Sequence, residues 1–542
     1  MSCDEKVLEL LGSEQRKAYS LTLLQFASGE SAEYVPLGFG EPNVKSRIKH
    51  VLRFKKAAVG TGVVGVVILI ATILLLGSNR QQNIRDSANT DTASSTQENA
   101  DETQSDSSNV SDAATLLYSV KNPYVGDISA DGKVLAQTVT DENGNEVREY
   151  PYGNLFSHAV GYATNGRMGV EAQANYYLIN SNAPLSTKAA LEASGDKYPG
   201  DNVYTTLDTK LQQVASTALG VYRGAIIVTE PSTGRILAMV SKPDFDPGTV
   251  EANWDELRSD SQKGVLLNRV TQGLYPPGST FKIVTALEYI RENPDTYQQY
   301  TYQCNGSISR GEDRIQCYHG SVHGQIGFTR SFAKSCNSSF ANMGLTFDRG
   351  HFEETLDQLL FNQKLPLSMN YSQSRVDMRD TTSDADMMQV SIGQGTTAMT
   401  PIHLNMITSA IANNGVLMKP YIVDHVQNSA GGNIKTFNAA AYGNLMTEEE
   451  AFILTGLMTD VVEEGTASRL KGLSYTAAGK TGSAEYGTVK GDSHAWFTGF
   501  APAEDPEICV TIIIEGAGAG GDYAVPIAKR IFDAYFGVET IY

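Results

Sequence analysis

Ser279 and Lys282 stand three positions apart in the stretch Tyr275-Pro276-Pro277-Gly278-Ser279-Thr280-Phe281-Lys282-Ile283-Val284-Thr285-Ala286-Leu287. On a helix that spacing puts a hydroxyl and an amine on one face. Two prolines and a glycine break the preceding structure and an apolar run with helical spacing follows, so the pair is expected at a helix start. The helix N-terminus there adds a positive field that favours a nearby anion. A hydroxyl attacks a carbonyl only after a base has taken its proton, and a lysine is such a base only where its surroundings hold it neutral. The chemistry this pair suits is acyl transfer. Ser-x-x-Lys alone is weak, because Ser46 with Lys49 and Ser331 with Lys334 repeat it, and each also reads as an ordinary helix start with its lysine in water.

Two later clusters give the tetrad its weight. Ser335-Cys336-Asn337 places a hydroxyl, which both donates and accepts, two positions from an amide that can bond a peptide group. The same two residues also read as a plain helix cap, and Ser87-Ala88-Asn89 shows how common the pattern is. Lys480-Thr481-Gly482-Ser483 supplies a cation and short hydroxyl donors, a set that suits a carboxylate. An edge strand is the expected setting, because it leaves backbone groups free for an extended peptide. Gly482 removes a side chain where another backbone must come close.

In this order the three clusters resemble the penicillin-binding proteins, and among them the monofunctional class B D,D-transpeptidases. The resemblance implies that Ser279 attacks the penultimate D-alanine carbonyl of a peptidoglycan stem peptide and expels the terminal D-alanine. A neighbouring stem's amine then takes the acyl group. Lys282 would be the base, with Lys480 as the nearby cation that helps burial lower its pKa, and Ser335 would relay a proton to the leaving amine. Asn337, Lys480, Thr481, Gly482 and Ser483 would bind substrate, and the backbone N–H groups of Ser279 and Ser483 would form the oxyanion hole. The family more often has threonine at the position of Ser483, which keeps the hydroxyl. β-Lactams are implied as acylating inhibitors. A class D-like β-lactamase or a β-lactam sensor is the alternative, since Ser279-Thr280-Phe281-Lys282 and Trp496-Phe497-Thr498-Gly499 suit it. Such hydrolases usually carry valine where Asn337 stands. A wall-binding protein without activity is a third reading, against which every motif hydroxyl and amine is present.

The elements that must hold these residues are legible in outline. The runs 224–230 and 235–241, joined by Pro231-Ser232-Thr233-Gly234, read as an antiparallel hairpin, and 475–486, 494–501 and 508–515 as three more strands. Helical patterns cover 209–219 and 523–536. Strands from both ends of a domain with helices between them predict an α+β fold, a five-stranded antiparallel sheet flanked by helices over 201–542. Ser391-Ile392-Gly393-Gln394-Gly395, Gly465-Thr466-Ala467 and Trp496-Phe497-Thr498-Gly499-Phe500 read as scaffold around the cleft, and Thr447 with Glu450 as a capping box.

Upstream, residues 113–200 read as short strands and turns, a β-rich pedestal with a hairpin signal at Asn143-Gly144. Its resemblance to the segment before the class B catalytic domain rests on Tyr150-Pro151, Gly161-Tyr162 and Gly169-Val170-Glu171. Residues 77–112 are polar and acidic, too poor in apolar side chains to fold, and are expected as a tether. Residues 57–76 are uncharged and rich in Val, Ile and Leu, about the ~20 residues a membrane-spanning helix needs. Lys45, Arg47, Lys49, Arg53, Lys55 and Lys56 precede this run, which predicts a cytoplasmic segment 1–56 and an extracellular remainder. The basic residues read either as a positive-inside flank or as an amphipathic segment against anionic lipid.

At 542 residues two or three domains are expected, and a net charge of −19 argues against a nucleic-acid partner. No Cys-x-x-Cys pair and no His-Glu-x-x-His run is present, so neither a metal nor another cofactor is expected. Five cysteines are too few for a disulfide scaffold. Cys304 and Cys317 flank a turn-rich insert where a disulfide is open to them, while Cys336, Cys509 and Cys3 read as single thiols, Cys336 as packing. The segment ahead of the catalytic domain is too short for a glycosyltransferase, so glycan chains are expected from another protein. The resemblance implies a membrane polymerase of the SEDS family.

Overall fold

The structure, a computed structural model, describes residues 125–259, 264–378, 383–486 and 492–538. The cytoplasmic segment, membrane span and tether expected over 1–112 lie outside the described residues.

The catalytic sheet has five strands in the order Ala478–Glu485, Ser493–Ala501, Ile508–Ile514, Gly224–Thr229 and Ile236–Lys242, every pair antiparallel. Every residue of the three inner strands is buried. Strands covered on both faces read as continuous apolar runs instead of alternating, which is why Ile508-Cys509-Val510-Thr511-Ile512-Ile513-Ile514 carries almost no polar residue. The helices Thr209–Leu219 and Gly520–Tyr535 pack on each other and on the sheet. Pro401–Ala412, buried at every position, packs on the three inner strands. Its polar His403, Asn405, Thr408 and Ser409 are hydrogen-bonded within the core, and Thr400 caps the helix by accepting from the His403 N–H while Pro401 opens its first turn.

A second sheet has six strands in the order Asn433–Thr436, Val423–Gln427, Asn202–Thr205, Ile128–Ala130, Lys133–Thr140 and Glu146–Glu149. The expected hairpin is present: the Gly144 N–H donates to the Asp141 carbonyl at 3.0 Å, and Asp141 Oδ1 accepts from the Asn143 and Asn145 N–H groups. Two features depart from the sequence reading. The expected β-rich pedestal is helical over Gly169–Gln173, Asn175–Leu178 and Leu185–Ser194. Leu185–Ser194 takes seven of its ten residues from alanine, leucine, lysine and glutamate, all good helix formers, and Gly195 ends it in the left-handed region. The sheet also draws two strands from far downstream, Val423–Gln427 and Asn433–Thr436, so it crosses the boundary expected between residues 200 and 201.

The insert after the helix Lys282–Glu292 forms the hairpin Ser307–Arg310 with Asp313–Gln316, and the pair Thr301–Cys304 with Gly324–Gly327. Cys304 and Cys317 are both thiols, their sulfurs 3.7 Å apart against the ~2.05 Å of a disulfide.

Candidate active site

Ser279 lies in a short 3-10 turn, Gly278–Phe281, that runs straight into the helix Lys282–Glu292. Gly278 makes the turn possible: its φ is +53°, and a Cβ there would sit 2.9 Å from the Ala484 Cα on the neighbouring edge strand. Its N–H donates to the Gly393 carbonyl at 2.9 Å, and the Trp496 indole donates to the Pro276 carbonyl at 3.1 Å. The segments read as scaffold thus hold the turn from two sides.

The Lys282 amine reaches back to the Ser279 Oγ at 3.0 Å. It also meets the Ser335 Oγ at 3.2 Å and donates to the Ser335 carbonyl at 2.8 Å and Asn337 Oδ1 at 2.6 Å. Ser335 sits between the helices Phe328–Ala333 and Asn337–Gly344 at a φ of +55°, a left-handed conformation that a serine adopts only when its surroundings impose it. That twist turns both its carbonyl and its hydroxyl toward Lys282.

Lys480 approaches from the sheet. Its amine donates to the Ser335 Oγ at 2.9 Å and the Thr481 carbonyl at 3.1 Å, so the Ser335 hydroxyl bridges the two lysines. The strand Ala478–Glu485 is the sheet's edge, as the sequence reading required. Gly482 faces the nucleophile's turn, where a Cβ would lie 3.1 Å from the Pro277 carbonyl oxygen. The Ser483 hydroxyl accepts from the Gly520 N–H at 3.3 Å.

Both lysine side chains are 0 % exposed. Burial disfavours an ammonium ion, and it pushes Lys282 down to about 7, against a smaller opposing pull from Cys336 and Cys317. Lys480 is held well below the usual lysine range, first by burial and then by repulsion from Lys282. Burial is the first cause at both amines, and the two lysines, bridged by the Ser335 hydroxyl, disfavour a second charge on the pair. Phe340 and Phe332 lie 5.5 Å from the two amines and supply the apolar walls.

The structure thus gathers Ser279, Lys282, Ser335, Asn337 and Lys480 into one hydrogen-bonded set, with Thr481, Gly482 and Ser483 on the adjoining strand. Two contributors escaped the sequence reading. Thr466 places its hydroxyl 2.5 Å from that of Thr481, although Gly465-Thr466-Ala467 had read only as scaffold. The Gln316 carbonyl accepts from Asn337 Nδ2 at 2.9 Å and fixes which way the amide points, and a backbone acceptor leaves no mark on side-chain patterns. Cys336 is no isolated packing residue either: its sulfur is 3.7 Å from that of Cys317.

The penicillin binding protein transpeptidase domain matches this chain over residues 224–533. The chain belongs to that family. The penicillin binding protein A dimerisation domain matches residues 125–203, nearly all of the pedestal expected over 113–200. The peptidoglycan D,D-transpeptidase PbpA of Mycolicibacterium smegmatis is 30% identical over 436 residues, 76% of this chain and 88% of that protein. Penicillin-binding protein A of M. tuberculosis, solved as a ceftriaxone acyl-enzyme complex, has a TM-score of 0.70 and 27% identity over 76% of this chain and 98% of that one. The D,D-transpeptidase domain of a peptidoglycan glycosyltransferase from Eggerthella lenta has a TM-score of 0.69 and 28% identity, covering 77% and 99%. A penicillin-binding transpeptidase fold with a sheet of antiparallel strands is therefore common to this chain and to proteins solved as acyl-enzymes.

Proposed function

We propose that this protein is a peptidoglycan D,D-transpeptidase that works through a serine acyl-enzyme and is inhibited when a β-lactam acylates the same serine. The observation that carries this reading is the Lys282 amine, fully buried, pushed down to about 7 and 3.0 Å from the Ser279 hydroxyl. A neutral amine at that distance is a competent general base. Lys282 takes the Ser279 proton as Oγ bonds to the penultimate D-alanine carbonyl. Collapse of the tetrahedral adduct breaks the peptide bond and leaves an ester on Ser279. The departing D-alanine nitrogen takes a proton through Ser335, whose Oγ lies between Lys282 and Lys480. The acceptor stem's amine then attacks the ester, the proton it loses returns to Ser279 by the reverse route, and the cross-link is released.

In this reading Lys480, Thr481 and Ser483 hold the donor's terminal carboxylate, and Asn337 bonds its peptide group. Gly482 lets the donor lie along the edge strand, and the backbone N–H groups of Ser279 and Ser483 receive the oxyanion. Residues 57–76 anchor the protein with its catalytic domain outside the cell, and a SEDS-family polymerase supplies glycan. The basic flank before residue 57 and the apolar run itself support the anchor.

A fluorescent penicillin tests the core of this. The intact protein is expected to carry a long-lived adduct on the peptide containing Ser279, and to release D-alanine from a pentapeptide stem. Ser279→Ala should abolish both. Labelling that persists in S279A, or rapid turnover of the penicillin without a lasting adduct, would overturn the transpeptidase reading.

A further inference from the structure

Behind the Ser335–Asn337 turn, four metal-ligating side chains converge from separate parts of the chain. Cys304 ends one strand of the insert, Cys317 follows its hairpin, His323 precedes its last strand, and Cys336 stands between Ser335 and Asn337. Their donor atoms all lie within 4.8 Å of one another. Cys317 Sγ is 3.7 Å from both Cys304 Sγ and Cys336 Sγ, and His323 Nδ1 is 3.3 Å from Cys304 Sγ. A tetrahedral zinc ion with Zn–S bonds of ~2.3 Å and a Zn–N bond of ~2.05 Å requires sulfur–sulfur edges of about 3.8 Å and sulfur–nitrogen edges of about 3.5 Å. These three distances come close to a tetrahedron's edges, and the other three pairs lie within 4.8 Å.

Three further observations point the same way. The cysteines are 0–2% exposed, and with Ile326 they make up a small buried cluster separate from the main core. A piece of chain this small and this poor in apolar residues needs a staple. The Ser338 hydroxyl lies 3.3 to 3.4 Å from all three sulfurs, where its proton can stabilise thiolate charge. Cys336 is the N-cap residue of Asn337–Gly344 yet makes no capping hydrogen bond, because its side chain is turned into the cluster. A disulfide would engage two of the sulfurs and leave the third thiol and the imidazole without a purpose. Soft thiolates with one imidazole select zinc, and four protein donors leave no open position for catalysis.

We propose that Cys304, Cys317, His323 and Cys336 bind one zinc ion in a closed Cys3His site that pins the Ser335–Asn337 turn. Binding replaces three S–H bonds with Zn–S bonds, releases up to three protons to water, and takes a neutral imidazole through Nδ1. No electron is transferred. The metal keeps three clustered thiols from oxidising to disulfides. The metal site stands on its own donors; only its effect on acylation rests on the roles given above to Ser335 and Asn337.

The test uses the full-length chain, purified in detergent with a thiol reductant and assayed for metal by mass spectrometry. One zinc per chain is expected. His323→Ala should weaken retention in a chelator competition by at least about tenfold, and His323→Cys, which restores a fourth soft donor, should recover it. Ser338→Ala should weaken it about 10- to 100-fold. Cobalt substitution gives a second readout that does not require stripped protein to stay folded: a sulfur-to-metal charge-transfer band with the intense visible bands of a tetrahedral ion. Chelation should slow penicillin acylation about tenfold or more, and added zinc should restore it. Reduced protein without zinc, cobalt spectra of an octahedral ion, or a Cys304–Cys317 disulfide in protein that acylates normally would overturn the site. S279A separates the two proposals, since it should keep its zinc while losing its acylation.

Discussion

Lys282 has four oxygen neighbours, and their distances sort them. The two shortest contacts, 2.6 Å to Asn337 Oδ1 and 2.8 Å to the Ser335 carbonyl, go to oxygens that can only accept. A neutral amine has two hydrogens for those acceptors and one lone pair left for the hydroxyl side, where Ser279 waits at 3.0 Å. This geometry accommodates the base form, burial favours it, and the sign of the pH dependence follows. Above about 7 the amine is neutral and takes the Ser279 proton; below it the amine is protonated and cannot. The acylation rate, followed with a fluorescent penicillin, should fall about tenfold per unit as pH drops below that value, and a flat profile from acid to alkaline pH would remove Lys282 from the base role. Asn337→Asp carries the argument further. A carboxylate in place of Oδ1 would favour the ammonium form, so the acid limb should move up by about 1 to 3 units. Asn337→Ala should not move the limb upward, because it adds no charge.

At the scale of the element, the nucleophile's turn and the edge strand touch through glycines, and each can be tested alone. Gly278 combines a left-handed φ with a Cβ position 2.9 Å from the Ala484 Cα, so Gly278→Ala should cost about 1–3 kcal/mol and lower the Tm as well as the labelling rate. Gly482 has ordinary backbone, but its Cβ would meet the Pro277 carbonyl, Thr280 Cγ2 and Trp496 Cβ at 3.1 Å each. Gly482→Ala should therefore push the strand off the turn and slow acylation about tenfold with little change in Tm. The order of the motifs made this arrangement readable in advance, because the apolar runs at 224–230, 494–501 and 508–515 mark buried strands and the prolines before Ser279 mark the helix start. Side-chain burial was not readable: nothing in Lys-Thr-Gly-Ser says that Lys480 is wholly enclosed. Nor was the convergence of Cys304, Cys317, His323 and Cys336, whose spacings of 13, 6 and 13 residues match no short metal motif and acquire meaning only once the insert folds. Two pedestal helices were missed because Gly169–Gln173 and Asn175–Leu178 are too short to show a helical period and Gly169, Asn175, Tyr176 and Tyr177 are weak helix formers, so the packing of Val170 and Leu178 decides their structure.

For the molecule as a whole, the six-stranded sheet decides what can be separated. Asn202–Thr205 lies between Ile128–Ala130 on one side and Val423–Gln427 on the other, so it joins a strand from early in the chain to one from the heart of the transpeptidase match. Ile128, Leu135, Phe156 and Leu178 share one continuous core with Val203, Leu207 and Leu211, and Gln212 donates to the Leu155 carbonyl at 2.9 Å. Within the pedestal the Arg148 guanidinium holds Glu171 at 2.7 Å, with both side chains at least nine-tenths buried. Removing residues 1–200 would expose the Asn202–Thr205 edge and the apolar face beneath it, and an uncovered edge with an apolar face recruits other chains. A chain of residues 201–542 should therefore aggregate or melt at a clearly lower temperature than one of residues 113–542. Arg148→Ala offers the same test without truncation. Leaving Glu171 buried and uncompensated should cost about 3–5 kcal/mol. If the two regions are one cooperative unit, calorimetry should show a single transition moving down in R148A, with penicillin labelling lost at the same lower temperature. A pedestal transition that moves by itself, while labelling survives to the original temperature, would mean that the shared sheet does not couple them.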